Sequence, residues 1–247
     1  DPGHGGANRG AVGVAEFEEK YLTLHLAYAL RDEIERRHPQ VRVLLTRYWD
    51  RDVDLPMRIA WANDIGADVF LSLHYNAATH DRAIGYETYF LASDVLADTD
   101  ARGERAGQPG TSQQKRARRL IDRARAQAQT AARAPLLAPH EHSQRLAATV
   151  QAQLALHLVD SPDRGVKSAN FAVLRGALMP AVVIESGFLT HPAEGMRVLS
   201  DGHRRAVVLS IADALDRFEA DSPAAPLVPE SVAATAPDGK SKQPQNE

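Results

Sequence analysis

The chain has 247 residues, 44% of them hydrophobic and 25% charged, with a formal net charge of −3. That composition suits one substantial globular domain with appendages, and it supplies no global positive field to draw the chain to nucleic acid. Cysteine is absent, which excludes disulfides, thiolate nucleophiles and cysteine metal sites and leaves His, Asp and Glu as metal ligands; no apolar run is long enough to span a membrane.

The chain begins Asp-Pro-Gly-His-Gly-Gly, residues 1–6. Glycines around His4 let the backbone turn sharply and leave the imidazole open to approach. A loop can present a metal ligand in this way, and an ordinary tight turn has the same pattern. Because the sequence starts at a motif, a leader and a strand are expected ahead of Asp1. Residues 19–37 read as an amphipathic helix, with Leu22, Leu26, Leu30 and Ile34 at spacing four. Residues 41–45, VRVLL, are a strand candidate, and residues 56–64 a helix with Pro56 in its first turn. DVFLSLH, residues 68–74, reads as a buried strand, and GYETYFL, residues 85–91, as another.

Composition then changes. Residues 97–135 are rich in Ala, Arg and Gln, with Leu120 and Ile121 almost the only large aliphatics. They read as part of an insertion, about residues 92–142, with a helical core near 113–133 and too little apolar surface to fold alone. Globular patterning resumes with a helix at 143–158, strands at 171–174 and 181–184, and a helix at 202–219. From about residue 220 the Pro-, Ala- and Ser-rich tail is expected to be disordered. The alternation of helices and strands predicts an α/β fold: a twisted, mostly parallel sheet with helices on both faces, forming a single domain over residues 1–219 with the helical insertion.

Four residues stand where such a fold builds sites. His4 lies on the glycine loop, Glu19 starts the first long helix, His74 ends a buried strand, and Glu185 ends the apolar run AVVI before Ser186 and Gly187. Two imidazoles and one carboxylate form a set that catalytic zinc uses, with a fourth position open. A further carboxylate must then move the proton, and Glu185 is the candidate. Glu18 and Glu19 also suit the dipole of the helix N-terminus, the reading that the residues alone favour for both. Arg58 and Asn63 read as fold-holding polar groups, Asn76 as a possible substrate contact, and Glu87 as a mid-strand residue able to face solvent. His25 and His157 read as surface or packing residues. His80, His140, His142, His191 and His203 are expected to face solvent, with His80 close enough in sequence to His74 to line the cleft instead.

In order along the chain, DPGHGG (1–6), GAVGVAEFEEK (10–20), TRYWDRDVDLPMRIAWAN (46–63), ADVFLSLHYNA (67–77), GYETYFL (85–91), DRGVKSANFAVLR (163–175) and MPAVVIESGFLTHP (179–192) resemble the zinc-dependent N-acetylmuramoyl-L-alanine amidases of the type 3 family. The resemblance covers about residues 1–91 and 143–218. It implies one Zn2+ held by His4, Glu19 and His74, with Glu185 as the catalytic glutamate. It also implies hydrolysis of the amide joining N-acetylmuramic acid to L-alanine in peptidoglycan, for cell-wall remodelling or daughter-cell separation. The enzyme is then expected to be exported or periplasmic and monomeric, with no nucleic-acid partner. In position and length the 92–142 insertion looks like the plug helix of some division amidases, released by an activator protein. Glu104 and Glu141 are the acids it could place on the metal. The alternative function is a catalytically silent module that binds peptidoglycan or a division partner.

Overall fold

The computed structural model describes residues 1–80, 82–92 and 137–220. The expected insertion core at 113–133 and the tail lie outside the described residues.

Helix α1, Glu19–Arg37, matches the expected span. Its spacing-four residues Leu26, Leu30 and Ile34 are buried, with Ala27 beside them. Arg36 and Arg37 in the last turn suit the negative end of the helix dipole. Helix α2, Leu55–Asp64, has proline in its first turn, where no backbone N–H is needed. Strands β1, Phe70–Asn76, and β2, Tyr86–Leu91, follow. Helix α3, Leu137–His157, leads to strand β3, Asp163–Ala169, and strand β4, Ala181–Phe188. Helices α4, Pro192–Val198, and α5, Asp201–Ala220, end the domain.

The four strands form one sheet in the order β1-β4-β2-β3. The β1–β4 and β2–β3 pairs are parallel and the β4–β2 pair antiparallel, so the sheet is mostly parallel, as expected. Side chains alternate across it. Leu73, Tyr75, Val182 and Ile184 share one buried core with Leu26 and Leu30 of α1, Leu146, Val150 and Leu154 of α3, and Val207 and Ile211 of α5. Phe70, Ala181 and Val183 point the other way, into a smaller core with Ile59 and Ala62 of α2 and with Val173 and Leu174. Full burial of each large aliphatic is worth about 1.5–3 kcal/mol, so the three-helix face carries most of the stability. Arg37 ties α1 to α5 through Asp213 and Asp216, at 2.7 and 3.0 Å.

Several sequence expectations change. Residues 41–45 join no ladder among the described residues: Leu45 is buried, Val43 packs on the main core, and Val41 and Leu44 are exposed. Residues 172–174 form a 3-10 turn, not a strand. Strand β3 was not foreseen because DRGVKSA has no apolar alternation. It exists through its ladder to β2. Helix α3 starts at Leu137, six residues before the expected Ser143, inside the span assigned to the insertion. No helix among the described residues is long and apolar enough to cross a membrane.

Candidate metal centre and active site

The loop carrying His4 runs beside the C-terminal half of β1. Gly3 N–H donates to the Leu73 carbonyl at 3.1 Å, and Leu73 N–H to the Asp1 carbonyl at 2.9 Å. Two buried arginines then grip the loop from beneath. Arg47, fully buried, donates through Nε to the Pro2 carbonyl at 3.0 Å and through Nη2 to the carbonyls of Gly3 and Lys20 at 2.8 and 2.7 Å. Arg58 donates to the Pro2 and His4 carbonyls at 2.9 and 2.8 Å, and its Nη1 lies 2.7 Å from Asp1 Oδ1. Burial pushes both guanidinium groups down to about 10, still charged at neutral pH. Arg58 and Asn63 thus hold the fold, as expected: Asn63 bonds the Gly176 carbonyl and the Leu178 N–H. Arg47 was missed, because sequence gives little sign that an arginine will be buried.

This grip holds His4 at φ 61°, a left-handed conformation that costs a non-glycine residue energy. The strain aims the ring at Glu19, with His4 Nε2 3.0 Å from Glu19 Oε2. On the other side His74 Nδ1 lies 2.9 Å from Glu19 Oε1. The two imidazole rings meet edge to face at 4.7 Å. One ligand atom from each of His4, Glu19 and His74 lies within 4.8 Å of the other two. Glu19 is fixed by backbone donors, Ala11 N–H to Oε2 at 2.8 Å and Tyr75 N–H to Oε1 at 3.0 Å. Glu18, its neighbour, turns outward to Arg9 at 2.7 Å. Burial would raise the Glu19 carboxyl, but hydrogen bonds from both histidines hold it well below the usual carboxylate range.

The donor set fits a divalent cation. His4 Nδ1 lies 2.8 Å from Asn8 Oδ1, which also accepts from Gly10 N–H at 3.2 Å. Asn8 Oδ1 is therefore the acceptor and His4 Nδ1 the donor, so His4 Nε2 is the ring nitrogen turned to Glu19. Two imidazoles and a buried carboxylate brought this close make a set that a divalent cation uses. The cradle also has no spare room. A Cβ on Gly3 would lie 2.3 Å from His74 Nε2, and one on Gly10 2.6 Å from Glu19 Oε2.

Glu185 stands beside this set without joining it. It is the register partner of His74 across β1–β4 and of Glu87 across β4–β2, so three site residues form one row over three strands. Its Oε2 is buried with no hydrogen-bond partner. Burial pushes its carboxyl up to about 7, with the charges of Glu19 and Glu87 adding to the effect and His74 opposing it. Such a carboxyl can both take and give a proton near neutrality.

Glu87 does not face solvent. It is 2% exposed and accepts from Asn76 Nδ2 at 2.6 Å, Tyr89 OH at 2.7 Å, Arg164 Nε at 2.7 Å and Lys167 Nζ. Burial would raise it, yet Lys167, Tyr89 and Arg164 hold it below its ordinary value. The Asn76 amide is directed at Glu87, and its Oδ1 accepts from Ala77 N–H. His203 is half-buried on the Ser186 carbonyl at 2.8 Å, and His191 caps α4 by accepting from Glu194 N–H; neither is the free surface group expected. Glu141 sits exposed on α3, and Glu104 lies outside the described residues.

Comparison with known proteins places the chain in a family. The chain matches the family described as Amidase_3, N-acetylmuramoyl-L-alanine amidase, over residues 1–217. It is 31% identical to the N-acetylmuramoyl-L-alanine amidase CwlM of Bacillus licheniformis, covering 95% of this chain and 73% of that protein. It is 32% identical to the amidase AmiC of Neisseria meningitidis, covering 88% of this chain but 51% of that protein. A crystal structure of N-acetylmuramoyl-L-alanine amidase from Clostridium difficile 630 superposes with a TM-score of 0.67 at 26% identity, covering 90% of this chain and 96% of that one. The row of His74, Glu185 and Glu87 beside the His4 loop thus sits on a shared fold, and the chain belongs to the Amidase_3 family of N-acetylmuramoyl-L-alanine amidases.

Proposed function

We propose that this amidase works with one zinc ion held by His4, Glu19 and His74, and that Glu185 is its general base and acid. The substrate bond is the amide between the lactyl group of N-acetylmuramic acid and L-alanine in peptidoglycan. The observation that carries the reading is the His4–Glu19–His74 cluster, with the unpartnered oxygen of Glu185 on the same row. When bound, zinc would supply Lewis-acid polarisation and a water that is acidic near neutral pH.

The chain's own residues do the rest. Arg47 and Arg58 fix the loop so that His4 keeps its strained orientation. Asn8 holds the proton of His4 on Nδ1 and leaves Nε2 to ligate. Glu185 takes the proton of the attacking water and delivers it to the amine of L-alanine as the C–N bond breaks. Asn76, next to the row, contacts substrate through Glu87-ordered geometry.

The cellular role we assign is cell-wall remodelling or daughter-cell separation by an exported, monomeric enzyme, with an activator protein acting on the 92–142 insertion. Release of stem peptides from purified peptidoglycan, with and without a chelator, tests the reading. Release that stops on chelation and returns with zinc is expected. No release from the metal-loaded protein would instead favour the silent binding module, and release indifferent to chelation would remove zinc from the account.

A further inference from the structure

The Glu185 row continues beyond Glu87 onto β3, and what stands there has no part in holding the metal or moving the proton. Tyr89 of β2 is paired in register with Lys167 of β3, and a register shift between Tyr86 and Thr88 brings Arg164 to the same carboxylate. Both cations end on Glu87 Oε2. Three features make this more than a neutral ion pair. Glu87 carries one negative charge against two positive ones. Its side chain is 3% exposed, whereas those of Arg164 and Lys167 are 35% and 37% exposed. The excess positive charge therefore lies on the open side of the cluster. Donors also remain: Lys167 spends one N–H on Glu87, and among the described hydrogen bonds Arg164 uses Nε and Nη1 and leaves Nη2. The Phe188 ring beneath the Arg164 guanidinium, at 4.9 Å, holds its plane.

We propose that Arg164 and Lys167, oriented by the buried carboxylate of Glu87, form a subsite for a carboxylate of the stem peptide, on the residue that follows L-alanine. The inference rests on the amidase reading above. Adjacent strands are about 4.8 Å apart, so β3 lies about 10 Å from β4 and Glu185. From the scissile nitrogen, L-alanine and one further residue extend about 7 Å, and the long side chains of Arg164 and Lys167 span the remainder. A free α-carboxylate on that second residue would meet two cations; an α-amide in its place would meet the same donors without charge. The ionised carboxylate adds a Coulomb attraction to both cations that a neutral amide oxygen lacks, so the subsite selects the acid over its amide. Glu87 and Tyr89 then act as positioning residues.

The test uses the metal-loaded full chain and two synthetic glycan-linked substrates, identical except that the second residue is D-glutamate or its α-amide, D-isoglutamine. The acid is expected to have a KM roughly tenfold or more below that of the amide, a difference that shrinks as salt rises. In Arg164→Gln/Lys167→Gln, the ratio of the amide KM to the acid KM should fall to about one. Equal KM values for acid and amide in the wild-type chain would overturn the subsite, and so would a preference that survives in the double variant. Should the double variant fail to fold, the wild-type comparison alone decides. Release of peptide from neither substrate by the wild-type chain would overturn the amidase reading itself, an outcome distinct from release without preference.

Discussion

On one face of the sheet Leu73, Tyr75, Val182 and Ile184 meet α1, α3 and α5 and are buried among aliphatics. On the other face their chain neighbours His74 and Glu185 stand in a row with Glu87, beside the His4 loop. The same strands supply both, because side chains alternate along a strand. The first face is held by area removed from water, which depends on volume and little on chemistry. The second is held by particular partners: Glu19 by two backbone N–H groups and two imidazoles, Glu87 by four side-chain donors, and the His4 loop by two buried arginines. Glu185 is the exception there, since one of its oxygens has no partner. A buried oxygen without a partner calls for an explanation, and proton exchange is the one proposed above.

Five changes would break or sharpen this contrast. The largest effect belongs to His74→Ala. The variant should keep its helical circular dichroism yet lose bound zinc and all detectable stem-peptide release; full zinc occupancy would remove His74 from the ligand set. Next, Glu185→Gln should retain zinc and lose about 10²–10⁴-fold in kcat, the usual contribution of a positioned acid–base group. Near-normal turnover would assign the proton transfer elsewhere. On the apolar face, Leu146→Ala should cost about 2–5 kcal/mol in a denaturant titration, while zinc content and kcat per folded molecule stay the same. A change in kcat would mean that the two faces are coupled.

A smaller effect concerns pH in the metal-stripped protein. Burial raises the Glu185 carboxyl to about 7 from an ordinary 4.5, so between those values the native state keeps a proton that the unfolded state has released. Stability from this group therefore falls as pH rises from about 4.5 and is fully lost above about 7, a change of about 3 kcal/mol. The stability of Glu185→Gln relative to the parent chain should grow by that amount across the window; a flat difference would mean that the carboxyl is not desolvated. The smallest effect is expected of Asn8→Ala. Losing the acceptor that fixes the His4 tautomer should weaken zinc binding about 10–100-fold by competition titration, without abolishing it.

How much of this the sequence discloses follows the same division. Helix α1 is legible to the residue, because Leu26, Leu30 and Ile34 repeat at spacing four. His4, Glu19, His74 and Glu185 are picked out together because each stands in a motif, although His74 and Glu185 lie inside their strands and not at the ends. Strand β3 is not legible: at the edge of the sheet DRGVKSA is held by backbone pairing to β2, and its side chains show no apolar alternation. Residues 41–45 have the opposite history, an apolar β-branched run that joins no ladder among the described residues. Glu87 and Arg47 are opaque for a shared reason. Charged residues are rarely buried, and only the three-dimensional arrangement brings Arg164, Lys167 and Asn76 to the one and the carbonyls of Gly3 and Lys20 to the other.

The central claim is that His4, Glu19 and His74 hold one catalytic zinc and that Glu185 does not ligate it. An anomalous difference map from crystals of the zinc-loaded protein, collected at the zinc absorption edge, tests it most directly. The account predicts a single peak bounded by His4 Nε2, a Glu19 carboxylate oxygen and His74 Nδ1, with each ligand about 2.0–2.2 Å from it and Glu185 outside that distance. A peak bonded to Glu185, or no peak between the two histidines, would contradict it.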